Sequence, residues 1–377
     1  MCLVRLILFI LFATQTGALH ASYTLKNGKL VNTNEVATLS VQEHYSLAMQ
    51  AYQKEKWDEL AKQTTIIIKN FSGTSFASEA QFYLGIANFH LGDYDVANEE
   101  FSEYLKIQVT PKHFEEAIQY KFKIAEKFKN GSRKHILGWG KMPKWLPAKE
   151  DAIAIYDEVI TALPHEDLAA EALFSKAFLL CAQEEYESSI ETYQTLIRRF
   201  SKKSLAAESY IGIAKVYLTQ CEKEFASRDF LDLAEINLIK FKLDFPGEER
   251  VSVAEQMHLQ MKEIYASSLY ETGKFYERTK KIPAALIYFN KVLTHFPETK
   301  IAAHVKKRLD RNSMKQTTSS PLEKVLATRE ELSAPMETTE TGSAKEQENV
   351  VSLEPESMAK LPEPSPQEDV FLEEEAH

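Results

Sequence analysis

The chain has 377 residues, of which 44% are hydrophobic and only 12 are glycine. A chain of this length can bury a large core, while the scarcity of glycine argues against many tight turns or phosphate-cradling loops. The formal net charge is -10, but residues from Asn312 onward carry 5 Lys/Arg against 15 Asp/Glu, which leaves 40 of each sign in the first 311 residues. A neutral body provides no field to attract nucleic acid, and nothing in the sequence resembles the basic stripe typical of nucleic-acid-binding proteins.

The amino-terminal residues have the layout of a secretory signal peptide. Arg5 precedes an apolar run of eight residues that begins at Leu6, and small residues follow. This run is too short to span a bilayer. We expect residues 1–21 to direct export and to be cleaved after Ala21 or Ala18; the alternative is that they form a buried helix of the mature protein.

The next residues, 22–40, are polar, contain the turn-like sequence LKNGKL and are predicted to be a flexible lead. Beyond them one spacing recurs: a small residue at Gly273, for example, is followed by Phe289 and then by Pro297. Small residues let two helices cross closely, and large residues fill the gap between them. Steps of nine, three and four residues join Gly273, Ile282, Ala285 and Phe289; Gly85, Tyr94, Ala97 and Phe101; Ala177, Tyr186, Ser189 and Tyr193; and, more weakly, Ala48, Trp57, Leu60 and Thr64.

These steps resemble the tetratricopeptide repeat, in which each unit is a pair of antiparallel helices. Two further units keep only the spacing of the second helix, at Tyr156 with Pro164 and at Leu238 with Pro246. We therefore predict an all-α fold, a right-handed superhelix of about five to six helix pairs over residues 41–312.

Residues 129–149 interrupt the third pair as a predicted insertion that is rich in Lys and Arg and contains no acidic residue. Insertions of repeat proteins form loops on one face, which makes this segment a candidate docking loop. Its proposed partner-binding residues are Trp139, Lys141 and Trp145. The alternative is that the two tryptophans fold back over the neighbouring helices.

Residues 313–377 are rich in Glu, Ser, Thr and Pro and contain one aromatic residue, Phe371. They hold too little apolar surface to offset the entropy of ordering, so we predict a disordered acidic tail. Cys181 and Cys221 lie in neighbouring repeats without zinc-ligand spacing. We favour two separately packed thiols over a disulfide between them.

Motifs that carry catalysis or bind a cofactor are missing from the sequence. There is no GxSxG, no glycine-rich phosphate loop and no HExxH, because His165-Glu166 lacks the second His. The ten His are scattered, and no His or Cys cluster has the spacing of metal ligands. We therefore expect a scaffold that binds proteins, with no catalytic residue, cofactor or metal.

On the first helix of each pair, residues three before and one and four after the small crossing residue are predicted to face the inside of the superhelix. In the amino-terminal half these positions are largely aromatic, which predicts a groove for an extended or helical peptide. The alternative is that the rings contact one another and close the groove. The principal candidates are Tyr45, Tyr52, Phe82 and Phe89 in the groove and, on a more polar docking face in the last repeat, Tyr270, Lys274 and Glu277.

The stretch ASSLYETGKFYERTKKIPAALIYFNKVLTHFPET lies between a long predicted helix and a predicted capping helix. Together with the insertion and the repeat count, it resembles the closing repeat of the BamD family. These are periplasmic helical-repeat components of the machinery that inserts β-barrel proteins into bacterial outer membranes. The resemblance covers residues 41–311.

The resemblance implies a non-catalytic periplasmic adaptor at the inner face of the outer membrane. Its first repeats would receive unfolded barrel precursors, and its last would dock onto the barrel-assembly protein. Family members usually carry a lipid-anchored cysteine at the signal-cleavage site; none follows TGALHA here, so membrane association would come through a partner. The implied receiving residues are Tyr45, Tyr52, Phe82 and Phe89, and the implied docking residues are Tyr270, Lys274, Glu277 and Arg278.

Two other functions stay open. One is a soluble periplasmic repeat protein that coordinates envelope constriction or cell-wall synthesis, similar to the CpoB family. Such proteins typically carry a trimerising coiled coil, and residues 22–40 show no heptads. The other is a secreted chaperone-like or virulence-associated repeat protein.

Overall fold

Helices make up nearly all of the chain that the structure describes. The computed structural model describes residues 23–26, 29–32, 35–107, 110–136, 142–223 and 228–311; the predicted signal peptide and acidic tail lie outside these ranges. Within them, twelve helices form six pairs and a thirteenth follows. The pairs are α1 (Val41–Gln53) with α2 (Trp57–Asn70), α3 (Ser75–Leu91) with α4 (Tyr94–Ile107), α5 (Phe114–Lys129) with α6 (Lys149–Ala162), α7 (Asp167–Ala182) with α8 (Tyr186–Arg199), α9 (Ser204–Lys223) with α10 (Arg228–Asp244), and α11 (Val251–Arg278) with α12 (Ile282–His295); α13 covers residues 300–311.

The helix pairs stack in chain order. The helices of a pair pack on each other, and the first helix of each pair also contacts the first helix of the following pair, from α1 through to α11. Stacked pairs bury the apolar faces that a lone pair would leave exposed. This arrangement confirms the predicted all-α tetratricopeptide fold. The long helix predicted before the last repeat is continuous with that repeat's first helix, so α11 has 28 residues.

Two short antiparallel hairpins accompany the helices. The first lies within residues 22–40, which the sequence predicts to be a flexible lead. This segment instead contains two paired strands, with Leu25 opposite Leu30. The second lies within the predicted insertion of the third pair, with a register shift between Lys134 and His135. The strands are β1 (Tyr23–Lys26), β2 (Lys29–Asn32), β3 (Arg133–His135) and β4 (Lys144–Pro147).

Aromatic rings of the second helices pack directly against small residues of the first helices. A Cβ atom added to Gly85 would lie 2.8 Å from the Phe101 ring, and one added to Gly273 would lie 2.5 Å from the Phe289 ring. Both rings are buried. Real Cβ atoms do not approach a ring so closely, so the helix spacing requires glycine at both positions. The predicted alternation of small and large residues is confirmed in these two pairs.

A left-handed residue ends the first helix in four pairs, each time seven positions after the small crossing residue. Its φ angle is 54° at Glu55, 80° at Gly92, 67° at Glu184 and 59° at Lys280. Only one of the four is glycine. In this conformation the Cβ of other residues lies too close to the following carbonyl oxygen, which costs roughly 1–2 kcal/mol. Three of the four turns therefore carry backbone strain.

Substituting glycine at two of these turns is expected to stabilise the protein. Glu55→Gly and Lys280→Gly relieve the left-handed strain, partly offset by the greater entropy of an unfolded glycine, so each should raise the free energy of unfolding by about 0.5–1 kcal/mol. Urea unfolding followed by circular dichroism measures the change. Glu55→Ala and Lys280→Ala keep the Cβ atom and serve as controls; glycine variants no more stable than the alanine variants would contradict the interpretation.

Candidate protein-binding surfaces

The insertion in the third pair is anchored to the turn between α3 and α4. His135 in β3 is almost fully buried, and its Nδ1 lies 2.7 Å from Oδ1 of Asp95. Its backbone N–H donates to Oδ2 of Asp95 at 2.8 Å. In β4, the Lys144 ammonium donates to Asp93 at 2.7 Å and to the carbonyl oxygen of Gly92 at 2.8 Å. This turn and the first residues of α4 therefore hold both strands of the hairpin.

Trp145 projects from this anchored hairpin. Its exposed fraction is 66%, and that of the adjacent Leu146 is 40%. For Trp145, this exposure excludes the alternative in which the tryptophans of the insertion fold back over the neighbouring helices. Trp139 and Lys141 lie outside the described residues. The hairpin thus presents an aromatic side chain on a fixed support, and exposed aromatic residues are enriched at protein interfaces.

Replacing Asp95 by alanine is expected to loosen the hairpin, because the buried His135 then loses its Nδ1 partner. Loss of such a partner costs about 1–3 kcal/mol, which corresponds to roughly 5- to 150-fold more frequent opening. Limited trypsin digestion should cut within residues 133–147 faster by about that factor. Asp157→Ala, which removes an ion pair with Lys176 elsewhere, is the control; equal cutting in the two variants would contradict the anchoring role.

Aromatic side chains from three consecutive first helices meet in the amino-terminal half. The ring of Tyr52 in α1 packs edge-on against Tyr83 in α3, with centroids 5.2 Å apart. Phe89 in α3 packs in the same way against Tyr120 in α5, also at 5.2 Å. Burial raises the pKa of Tyr83 and of Tyr120, and the nearby Tyr52 phenol adds to both shifts. We call these four side chains the aromatic cluster.

Three hydroxyl groups of the aromatic cluster are available to a ligand. The hydroxyls of Tyr52, Tyr83 and Tyr120 form no hydrogen bond with another described residue, and none is a buried group without a partner. Tyr52 is 36% exposed, while the rings of Tyr83 and Tyr120 are half-buried. Tyrosine hydroxyls are protonated at neutral pH, and the raised pKa values of Tyr83 and Tyr120 act in the same direction, so both hydroxyls can donate and accept.

Two predicted groove residues, Tyr45 and Phe82, face the next helix pair instead of an open groove. Phe82 is 1% exposed and stacks on His113 with centroids 4.5 Å apart. Tyr45 is half-buried, and its hydroxyl donates to Glu79 of α3. The prediction that Phe82 lines a groove is wrong, because the position three residues before the crossing residue lies in the interface between repeats.

The spacing rule identifies half of the aromatic cluster. Tyr52 and Phe89 are among the predicted groove residues, whereas Tyr83 and Tyr120 are not. Tyr83 lies two residues before Gly85, outside the positions of the rule. Tyr120 belongs to the third pair, where the insertion breaks the register and no spacing signal marks it. The rings contact one another, as in the alternative to an open groove, but their hydroxyls remain accessible.

Most of the predicted docking residues in the last repeat contact the protein itself. Tyr270 is 8% exposed, and its hydroxyl accepts a hydrogen bond from Arg308 of α13 at 3.1 Å. The same Arg308 forms an ion pair with Glu277 at 2.5 Å. The prediction of an open face at Tyr270 and Glu277 is therefore wrong, because both fasten α13 to α11. Lys274 is half-buried, and Arg278 is exposed.

Neither a membrane-spanning helix nor a metal-binding cluster is found in the part of the chain described. No helix there combines the length and the apolar character needed to cross a bilayer. No three side chains of His, Cys, Asp or Glu converge there in a way that could hold a metal ion. Cys221 is buried and Cys181 is half-buried, and the described residues form no disulfide.

Comparison with known proteins agrees with the repeat architecture. Residues 45–108 match the tetratricopeptide repeat family. No curated protein matches the chain. Among solved structures, a TPR repeats protein from Bacteroides fragilis is 13% identical, covers 74% of this chain and 100% of its own, and has a TM-score of 0.36. MamA from Desulfovibrio magneticus is 16% identical, with 55% of this chain and 97% of that chain covered and a TM-score of 0.32.

The fold defines the class of protein. Its stacked helix pairs have the fold of a tetratricopeptide-repeat scaffold, and proteins with this fold typically bind other proteins without catalysing a reaction. The fold and the family match therefore indicate a scaffold for protein–protein interaction.

Proposed function

We propose that the protein is a non-catalytic adaptor whose aromatic cluster binds an extended segment of a partner protein. The observation that carries the proposal is the set of accessible hydroxyls on Tyr52, Tyr83 and Tyr120, which come from three consecutive first helices. An extended peptide presents backbone N–H and C=O groups together with alternating side chains. Tyrosine offers both an apolar ring and a hydroxyl at a low cost in conformational entropy, and this combination suits such a ligand.

The aromatic cluster is supported by further ring contacts. Tyr52 also packs edge-on against Trp57, at 6.2 Å, and Trp57 stacks on His90 with centroids 4.0 Å apart. Lys123 lies over the Tyr120 ring, 4.7 Å from its centroid. Side chains that are already held in place lose little freedom when a ligand binds, so this support favours affinity.

We further propose that the partners are unfolded precursors of outer-membrane β-barrel proteins and the barrel-assembly protein, in the periplasm. The support is the resemblance of the closing repeat and of the insertion at residues 129–149 to the BamD family, with the signal-like residues 1–21. Barrel strands alternate apolar and polar side chains, which suits a surface of rings and hydroxyls. The docking surface for the assembly protein comprises Lys274, Phe275 and Arg278, of which Phe275 is 52% exposed. Membrane association comes through that partner.

Removing the three hydroxyls of the aromatic cluster while keeping its rings tests whether the cluster binds barrel precursors. The triple variant Tyr52→Phe/Tyr83→Phe/Tyr120→Phe should bind a fluorophore-labelled, urea-unfolded outer-membrane β-barrel protein about tenfold or more weakly after dilution, since each lost hydrogen bond contributes about 0.5–1.5 kcal/mol. Fluorescence anisotropy measures the affinity. In the last repeat the rings of Tyr276 and Tyr288 stack, with centroids 5.4 Å apart. The control variant Tyr276→Phe/Tyr288→Phe removes these two hydroxyls and should bind normally. A triple variant with unchanged affinity and unchanged stability would overturn the proposed surface.

Co-purification from gently solubilised envelopes tests the docking surface and the partner. The tagged wild type is expected to recover a large barrel-assembly protein, identified by mass spectrometry. The variant Lys274→Glu/Arg278→Glu should lose it, because the charge of this surface is reversed. Recovery of cell-wall or division proteins instead would refute the barrel-assembly role and favour the CpoB-like alternative.

A further inference from the structure

Grooves lie between successive second helices, each with a first helix as its floor. The groove between α2 and α4 contains Glu35, Lys62 and Glu100. The groove between α6 and α8 contains Asp157 and Lys176, which form an ion pair at 2.6 Å. Both grooves hold carboxylates of their own. A third groove, between α8 and α10 over α9, has a different chemistry, and we call it the α8–α10 groove.

Aliphatic side chains form part of the lining of the α8–α10 groove. Its cavity of 260 Å³ is lined by Ile197 of α8, Ile213 of α9, and Leu233 and Ile236 of α10. Leu233 and Ile236 are 43% and 48% exposed, although they are large aliphatic side chains. Farther along α10, Leu243 is 74% exposed. Exposed aliphatic side chains grouped beside polar residues are typical of a protein-binding site.

Two cations stand on opposite walls of this groove, Arg198 on α8 and Lys240 on α10. Arg198 donates to the hydroxyl of Thr195 at 2.9 Å, and neither cation pairs with a carboxylate of the described chain. At the floor, the Tyr210 hydroxyl donates to Asp244, so that nearby carboxylate already has a partner within the protein. None of the described residues that line the groove is acidic, in contrast to the other two grooves.

We propose that the α8–α10 groove binds an amphipathic helix of a partner protein that carries apolar side chains on one face and carboxylates on both flanks of that face. Two helices with a third as the floor form a trough into which another helix packs. The apolar face fills the cavity, and the flanking carboxylates pair with Arg198 and Lys240. The aromatic cluster belongs to first helices of the amino-terminal half, so this groove adds a second partner of different chemistry.

Designed peptides test the chemistry of the ligand. Three helical peptides of about 16 residues are compared by fluorescence anisotropy: one with Leu at i, i+3, i+4 and i+7 and Glu on both flanks, one with Lys in place of Glu, and one with Ser in place of Leu. The acidic peptide should bind with roughly micromolar affinity that weakens as salt is added. The other two should bind at least about tenfold more weakly. Equal binding of the acidic and basic peptides would overturn the proposal.

Surface variants locate the binding of the acidic peptide. The variant Leu233→Ser/Ile236→Ser removes apolar side chains from the groove, and the variant Arg198→Gln/Lys240→Gln removes its two cations. Each variant should weaken binding of the acidic peptide about tenfold or more. The second variant should also lose most of the salt dependence of binding. Ile287→Ser, at a position of α12 that is 56% exposed, is the matched control and should bind normally. Unfolding midpoints check that the variants fold. Normal peptide binding by both groove variants, or an equal loss of affinity in the Ile287→Ser control, would contradict the proposed location of the binding site.

A second copy of the chain is the competing occupant of the groove. Analytical ultracentrifugation of the wild type and of Leu233→Ser/Ile236→Ser distinguishes the two cases. The proposal predicts that the groove variant leaves the association state unchanged. A wild-type dimer that becomes monomeric in this variant would overturn the proposal, because the groove would then be occupied by a second copy of the chain.

Discussion

The packing of an aromatic ring against a residue without a side chain is the constraint on which the rest of the structure depends. Within a pair, the Phe289 ring lies where a Cβ on Gly273 would come within 2.5 Å of it; between pairs, Tyr193 lies equally close to the Cβ position of Gly212. Protein interiors are packed as densely as organic crystals, so one added methyl group would separate the helices or force the ring from its rotamer. The same contact therefore sets the spacing within and between repeats.

This spacing decides which side chains remain available to partners. Rings that point along the stack, such as Phe82, become part of the interface to the next repeat. Tyr52, seven residues farther along its own helix than Tyr45, remains partly exposed beside Tyr83. The second helices leave troughs between them, and the chemistry of each trough follows from local sequence. The α8–α10 groove combines aliphatic and cationic side chains, whereas the aromatic cluster combines rings and hydroxyls, so the two surfaces suit different ligands.

The repeat architecture could be predicted because its signal is local: small and large residues recur at fixed steps within each helix pair. Exposure could not be predicted in this way, because it depends on residues far along the chain. Tyr270 is covered through Arg308, 38 positions later, and His135 is held by Asp95, 40 positions earlier. Tyr120 escapes the spacing rule because the insertion breaks the register of its pair. Sequence periodicity thus identifies the scaffold, while the partners of each side chain require the packed structure.

Site-specific photo-crosslinking tests the central claim, that the aromatic cluster receives an extended partner segment. Benzoylphenylalanine is introduced at position 52, beside Tyr83 and Tyr120, and separately at position 288 in the last repeat. After dilution of a urea-unfolded outer-membrane β-barrel protein into each variant, irradiation should yield a crosslinked product at position 52 and little at position 288. Equal crosslinking at the two positions, or none at position 52 while the partner still binds, would contradict this account of the protein.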